Sequence, residues 1–130
     1  MTQYLLDTNV LIPYSRRRLP ATKVVLDILA GGAELCVCTI NVAEFYSGSR
    51  VGEHPAFDYF LSTIECIPVT RADGIQAGQW RHEYARSGVQ LATVDVLMAA
   101  VALRVGATLV TENIKDFPMP GLNLLDPRSR

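Results

Sequence analysis

The stretch "QYLLDTNVLIPY", residues 3–14, carries an apolar, strand-like run into Asp7 and then at once into Thr8 and Asn9. A carboxylate at the end of a buried strand costs several kcal/mol unless something compensates it. Asp7 therefore either caps the segment that follows, as Asp, Thr and Asn all do, or waits for a cation. Asp95 poses the same choice. It follows Thr93, a good N-cap, and heads the unbroken apolar run Val96–Leu103. A helix apolar all round is a buried helix, which carries Asp95 inward. The helix N-terminus favours a carboxylate by only about 0.3–1 kcal/mol, less than burial costs.

Glu44 lies between the apolar pairs Val42-Ala43 and Phe45-Tyr46, although Asn41-x-x-Glu44 also imitates a capping box. "TENIKDF" offers Glu112, Asn113 and Asp116, and one turn of helix places Asn113 and Asp116 on the same side. A polar loop with its own caps is the competing reading there. Two like charges about 4 Å apart repel by roughly 4 kcal/mol at an effective dielectric near 20. Three such pairs approach about 12 kcal/mol, comparable with the stability of a typical domain. A cluster of this kind persists by protonation or with a divalent cation. Oxygen-only donors that leave waters in place suit Mg²⁺ or Mn²⁺, which can activate a water against a phosphodiester.

The elements that position these groups read as α/β. Short β-like runs occur at residues 4–7, 34–39, 66–70 and 108–111, with a last one at 122–125, and helical patterns fill the intervals. "PATKVVLDILAGG" opens with Pro20 and closes with Gly31-Gly32, as a helix should. Alternation of strands and helices predicts right-handed crossovers and a small, mainly parallel sheet flanked by helices, a three-layer sandwich. In such sheets ligands sit outside the carboxyl ends of the strands. Three strands here end in polar residues: Asp7-Thr8-Asn9, Thr39 leading to Glu44, and Thr111 leading to Asn113 and Asp116.

The chain has 130 residues, a net charge of −1 and a mean hydropathy of +0.19, which predicts one domain over residues 1–130 with its own core. The eight residues of Val96–Leu103 fall short of the roughly 20 that a spanning helix needs, so no membrane role is expected. No basic region precedes an apolar stretch at the N-terminus, so no signal peptide is expected. Cys36, Cys38 and Cys66 show no zinc-ligand spacing with His54 and His82. They read as reduced thiols, which fit a cytoplasmic location. A pI near 6.1 excludes a protein that coats nucleic acid broadly, so any nucleic-acid contact is focused.

At this point the chain resembles the PIN-domain ribonucleases, and within them the VapC-type toxins of prokaryotic toxin–antitoxin pairs. "LLDTNVLI", "TINVAEFYSG", "TVDVLMAAVAL" and "LVTENIKDF" match the family's four motifs in order and span Leu5 to Phe117. The resemblance implies metal-dependent hydrolysis of RNA, with Asp7 and Asp95 as direct ligands of Mg²⁺ or Mn²⁺. It makes Glu44 the third acidic member, and has Thr8 and Asn9 hold Asp7. The family commonly has a fourth acid two residues after the Thr of the last motif. Asn113 stands at that place, so either Asn113 serves as a neutral group or Asp116 substitutes for it. A small antitoxin protein whose tail fills the acidic groove, and a homodimer, come with the resemblance.

Arg16-Arg17-Arg18 is the densest basic run, read as a solvated loop, a phosphate contact or a target for an acidic antitoxin tail. Tyr46, Phe57, Tyr59 and Phe60 read first as core and second as a dimer face. Trp80 is expected half packed and half solvated, and His82 is given no catalytic role. Two rivals stand beside the ribonuclease. One is a catalytically weak PIN-like module that binds RNA or protein. The other is phosphotransfer through an aspartyl intermediate or a receiver-like domain, which lacks the D-x-D spacing or the paired acids it needs.

Overall fold

The computed structural model describes residues 2–129. Strands β1 (Gln3–Leu6), β2 (Glu34–Cys38), β3 (Glu65–Ile67), β4 (Thr108–Val110) and β5 (Asn123–Leu125) form one sheet in the order β3-β2-β1-β4-β5. Every pairing is parallel. The helices are α1 (Thr8–Ser15), α2 (Ala21–Ala30), α3 (Thr39–Gly48), α4 (His54–Leu61), α5 (Arg71–Arg86) and α6 (Thr93–Val105).

Alternation along the strands divides the core in two. Leu5, Cys36, Cys38 and Leu109 pack with Ala77 and Trp80 of α5 and with Val96 and Met98–Ala102 of α6. Leu6, Leu35, Val37 and Val110 pack with Val10 and Leu11 of α1, Val24, Val25 and Ile28 of α2, Phe45 of α3 and Phe57 of α4. This is the three-layer sandwich expected from the pattern. Gly106, at φ 72°, ends α6 in the left-handed conformation and turns the chain into β4.

The strands stop one residue sooner than their apolar runs suggest, so Asp7, Thr39 and Thr111 lie just beyond the last ladder residues. β3 ends at Ile67 because Pro68 has no N–H to extend the ladder. The Pro68 carbonyl accepts instead from Arg104 Nη2, while Arg104 Nε and Nη2 also grip both oxygens of Asp73 at 2.9 Å.

Three expectations change. Trp80 is buried, 6% exposed, because α5 turns it onto α6 and the sheet rather than to solvent. Thr93 does not cap α6; it is the first helical residue, and Ala92 precedes it without a side-chain bond. Asn41 lies inside α3, which begins at Thr39, so it cannot form a capping box with Glu44. The aromatic residues follow the core reading, with Phe57 buried against Phe45, although Tyr59 is 75% exposed. All three thiols are free; burial pushes the Cys36 thiol up to about 12, as suits an inert core group.

Phe45 links the second core to the site, because it is fully buried, its ring stacks on Phe57 at 3.5 Å and 11°, and its neighbour in sequence is Glu44. Phe45→Ala is expected to cost about 3–5 kcal/mol, read from urea unfolding midpoints.

Candidate active site

The strand order reverses between β1 and β4, the place where open parallel sheets form a crevice at their carboxyl ends. Asp7 leaves β1 there and Thr111 leaves β4. The Asp7 backbone N–H still donates to Val110 O at 2.9 Å, so both residues start from a fixed sheet edge.

Asp7 takes the capping role that the sequence offered and still keeps its carboxylate at an open cavity. It is the N-cap of α1: its Oδ1 accepts from Thr8 N at 2.6 Å, and its carbonyl accepts from Val10 N and Leu11 N. Its Oδ2 accepts from Thr111 Oγ1 at 2.8 Å and, at the long limit of 3.5 Å, from Asn9 Nδ2. The side chain nevertheless faces a cavity of about 510 Å³, whose lining includes Glu44, Asp95, Thr8, Asn9 and Asn113, with Ile12 and Pro13 as an apolar wall.

Glu44 arrives from α3, and its Oε1 accepts the Thr8 hydroxyl at 2.9 Å. Thr8 thus supports two carboxylates, one through its backbone and one through its side chain. Asp95 arrives from the first turn of α6 on the other side of the sheet. Beneath the pair lies fully buried Asn41. Its Oδ1 accepts from Cys38 N at 2.9 Å, and its Nδ2 donates to Met98 Sδ at 3.3 Å. Asn41 precedes Glu44 by three residues and Met98 follows Asp95 by three, so this bond joins the two carboxylate-bearing helices one turn below their acids.

Burial and neighbouring charge act together on these side chains. Burial raises the Asp7 carboxyl above its ordinary value and Glu44 adds to the rise, while bonds from Thr111 and Thr8 hold it down. Asp95 is pushed up to about 6, by burial first and then by Asp7, Asp116 and Glu44. Asn113 and Asp116 flank Asp95 on different sides. Asn113 lines the carboxylate cavity, and Asp116 lines a neighbouring depression that shares Asp95.

The residue that sequence reasoning underweighted is Thr111. It is fully buried, donates its one hydroxyl proton to Asp7, and accepts from Asn9 Nδ2 at 3.3 Å and Asn113 N at 3.1 Å. A hydroxyl at the end of the apolar run "ATLVT" was the available signal. The basic run is partly spent on structure: Arg16 binds Glu53 through two bonds, at 2.9 and 3.1 Å, while Arg17 and Arg18 are exposed. His82 is exposed on α5.

The chain matches the PIN domain family model over residues 4–118. It belongs to the PIN-domain family. Among curated relatives, this PIN-domain protein is 28% identical over 122 residues to Ribonuclease VapC2 of Haemophilus influenzae, covering 90% of this chain and 91% of that one. It is 25% identical over 126 residues to the tRNA(fMet)-specific endonuclease VapC of Shigella flexneri, covering 93% and 94%. Among solved structures it superposes with a TM-score of 0.81 and 29% identity on VapBC2 from Rickettsia felis bound to a promoter DNA fragment, covering 95% and 98%.

Two outcomes test the scaffold of this PIN-domain site. Thr111→Val should raise the Asp7 carboxyl pKa further in an NMR titration, and Thr111→Ser should leave it near wild type. Asp95→Asn should raise the melting temperature of the metal-free protein at pH 7 but not at pH 4. The folded carboxyl titrates near 6 and the unfolded one near 3.8, so the folded state holds the extra proton between them. Stability therefore falls as pH rises through that window, and the amide variant escapes the loss.

Proposed function

We propose that this protein is a divalent-metal-dependent ribonuclease and the toxin half of a toxin–antitoxin pair. The observation that carries the reading is the convergence of Asp7, Glu44 and Asp95 on one open cavity at the sheet's switch point. The relatives named as ribonuclease and endonuclease support it for RNA as substrate.

The donors fit a hard cation. All are oxygens, two of the three acids have raised pKa values, and added positive charge is what relieves such a site. Among the described residues, no three His, Cys, Asp or Glu side chains close around an ion by themselves. Mg²⁺ or Mn²⁺ binds through one or two carboxylates and keeps several waters. Asp7 and Asp95 would be the direct ligands and Glu44 the third member, touching the ion directly or through water. When bound, the ion supplies neutralising charge for the phosphodiester and a lowered pKa for a water.

The chain's own groups do the rest. Thr8 N–H and the Thr111 hydroxyl each hold one oxygen of Asp7, which fixes the direction of the remaining lone pairs. Glu44 Oε1 takes the Thr8 hydroxyl, leaving Oε2 to accept the proton that the attacking water sheds. Asn113 keeps a neutral amide where an acid is common in the family, and Asp116 stands on the far side of Asp95.

The partner of this reading is a small antitoxin, as in the related VapBC assemblies. An apolar cavity of about 500 Å³ between α1, α2 and α4, lined by Tyr14, Phe57 and Phe60 with Arg17 among its walls, offers such a protein a seat away from the carboxylates. Among the described residues no helix is long and apolar enough to cross a membrane. A cytoplasmic homodimer completes the proposal.

The deciding assay is cleavage of a mixed RNA pool that includes transfer RNA, in EDTA, Mg²⁺ or Mn²⁺, by protein free of antitoxin. Cleavage should require the ion and fall by orders of magnitude in Asp7→Asn and Asp95→Asn. Folded protein that binds RNA without cutting it would favour the alternative, a PIN-like binding module in which Asn113 has ended catalysis. Cleavage that persists in both variants would remove these carboxylates from the mechanism.

A further inference from the structure

The carboxylate cavity has a neighbour. A depression of about 360 Å³ opens on the other side of Asp95, bounded by the loop before α6 and by Lys115 and Asp116. Its size falls within the range of small-ligand sites, about 300–1,000 Å³. The loop wall is anchored: Arg81 Nε of α5 donates to the Leu91 carbonyl at 2.9 Å, and the Leu91 side chain is buried.

The groups around this depression are chemically unspent. Gln90 and Lys115 are exposed, and among the described residues neither makes a side-chain hydrogen bond or ion pair. Asp116 is half-buried, and its carboxylate likewise accepts no hydrogen bond. Among the described residues lining either hollow, Lys115 alone carries a positive charge. A polyanion cannot approach Asp7, Glu44, Asp95 and Asp116 without positive charge beside its phosphates, and one cation at the cut site serves only one of them. The two hollows adjoin at Asp95, so a strand with its scissile phosphate over the carboxylates can reach the second depression with its adjoining nucleotide.

Resting on the ribonuclease reading, we infer that the depression beyond Asp95 is the subsite for the nucleotide next to the scissile phosphate. Lys115 meets that nucleotide's phosphate as a point charge. Gln90 and Asp116 face its base edge, where an amide and a carboxylate can pair with ring and exocyclic groups. Such an edge is open only when the base is unpaired, so the substrate at this position is single-stranded.

The test uses full-length protein and short single-stranded RNAs of varied sequence. Binding is measured in a Glu44→Gln background that does not cut, across a salt series, and cleavage is measured in the parent. Lys115→Ala should raise KM about tenfold and lower the salt slope of binding by about 0.7, the value of one single-strand phosphate contact. Lys115→Arg should recover most of both. Gln90→Ala should relax base preference at one position beside the cut, read by sequencing the product ends. Lys23→Ala, at an exposed position of α2 and paired with Asp27, controls for loss of general charge. An unchanged slope and KM in Lys115→Ala, or a change equal to that of Lys23→Ala, would overturn the subsite. So would a base preference unmoved by Gln90→Ala. Wild-type protein that neither binds nor cuts any RNA would instead remove the ribonuclease reading beneath it.

Discussion

Mutual repulsion among Asp7, Glu44 and Asp95 is the constraint around which this molecule is organised. Each acid comes from a different element: the end of β1, the third α-helix and the first turn of the sixth. Burial first, and the neighbouring acids after it, raise the carboxyl pKa values of Asp7 and Asp95. The scaffold opposes the repulsion with directed bonds. Thr111 and Thr8 pin Asp7, Thr8 pins Glu44, and buried Asn41 ties the helix of Glu44 to that of Asp95. Sites of this kind sacrifice stability for chemistry.

Much of this was legible in the sequence, because burial and periodicity report on single segments. The alternation of strands and helices located the parallel sheet. The apolar surroundings of Asp7, Glu44 and Asp95 marked them as acids that solvation alone does not explain. What stayed hidden depends on pairing or on helix register. Thr111 matters only because β4 lies beside β1, which brings it to Asp7 from 104 positions away. Asn41 looked like a cap because a three-residue error in the start of α3 moves it from inside the helix to the position before it. Thr93 lost its expected role for a similar reason, since α6 begins at that residue. Trp80 sits in a polar stretch, "GQWRHEYAR", and only the packing of α5 on α6 decides that it is buried.

The distribution of charge explains how a chain of net charge −1 can address a polyanion at all. Positive residues are not spread over the site. Arg16 and Arg104 are committed to Glu53 and Asp73, where they brace the frame. That leaves the carboxylate cavity lined by acids with no positive side chain among its described lining residues, the reverse of a basic groove.

The two halves of the core sit on opposite faces of the sheet, and each delivers one helix-borne acid to the same edge. A chain still emerging from the ribosome has β1 and α3 in hand before it has α6 or the residue that follows β4, Thr111. A product that stops short of α6 carries Asp7 and Glu44 without Asp95 and without the Thr111 hydroxyl, so the three acids converge only once α6 has been made.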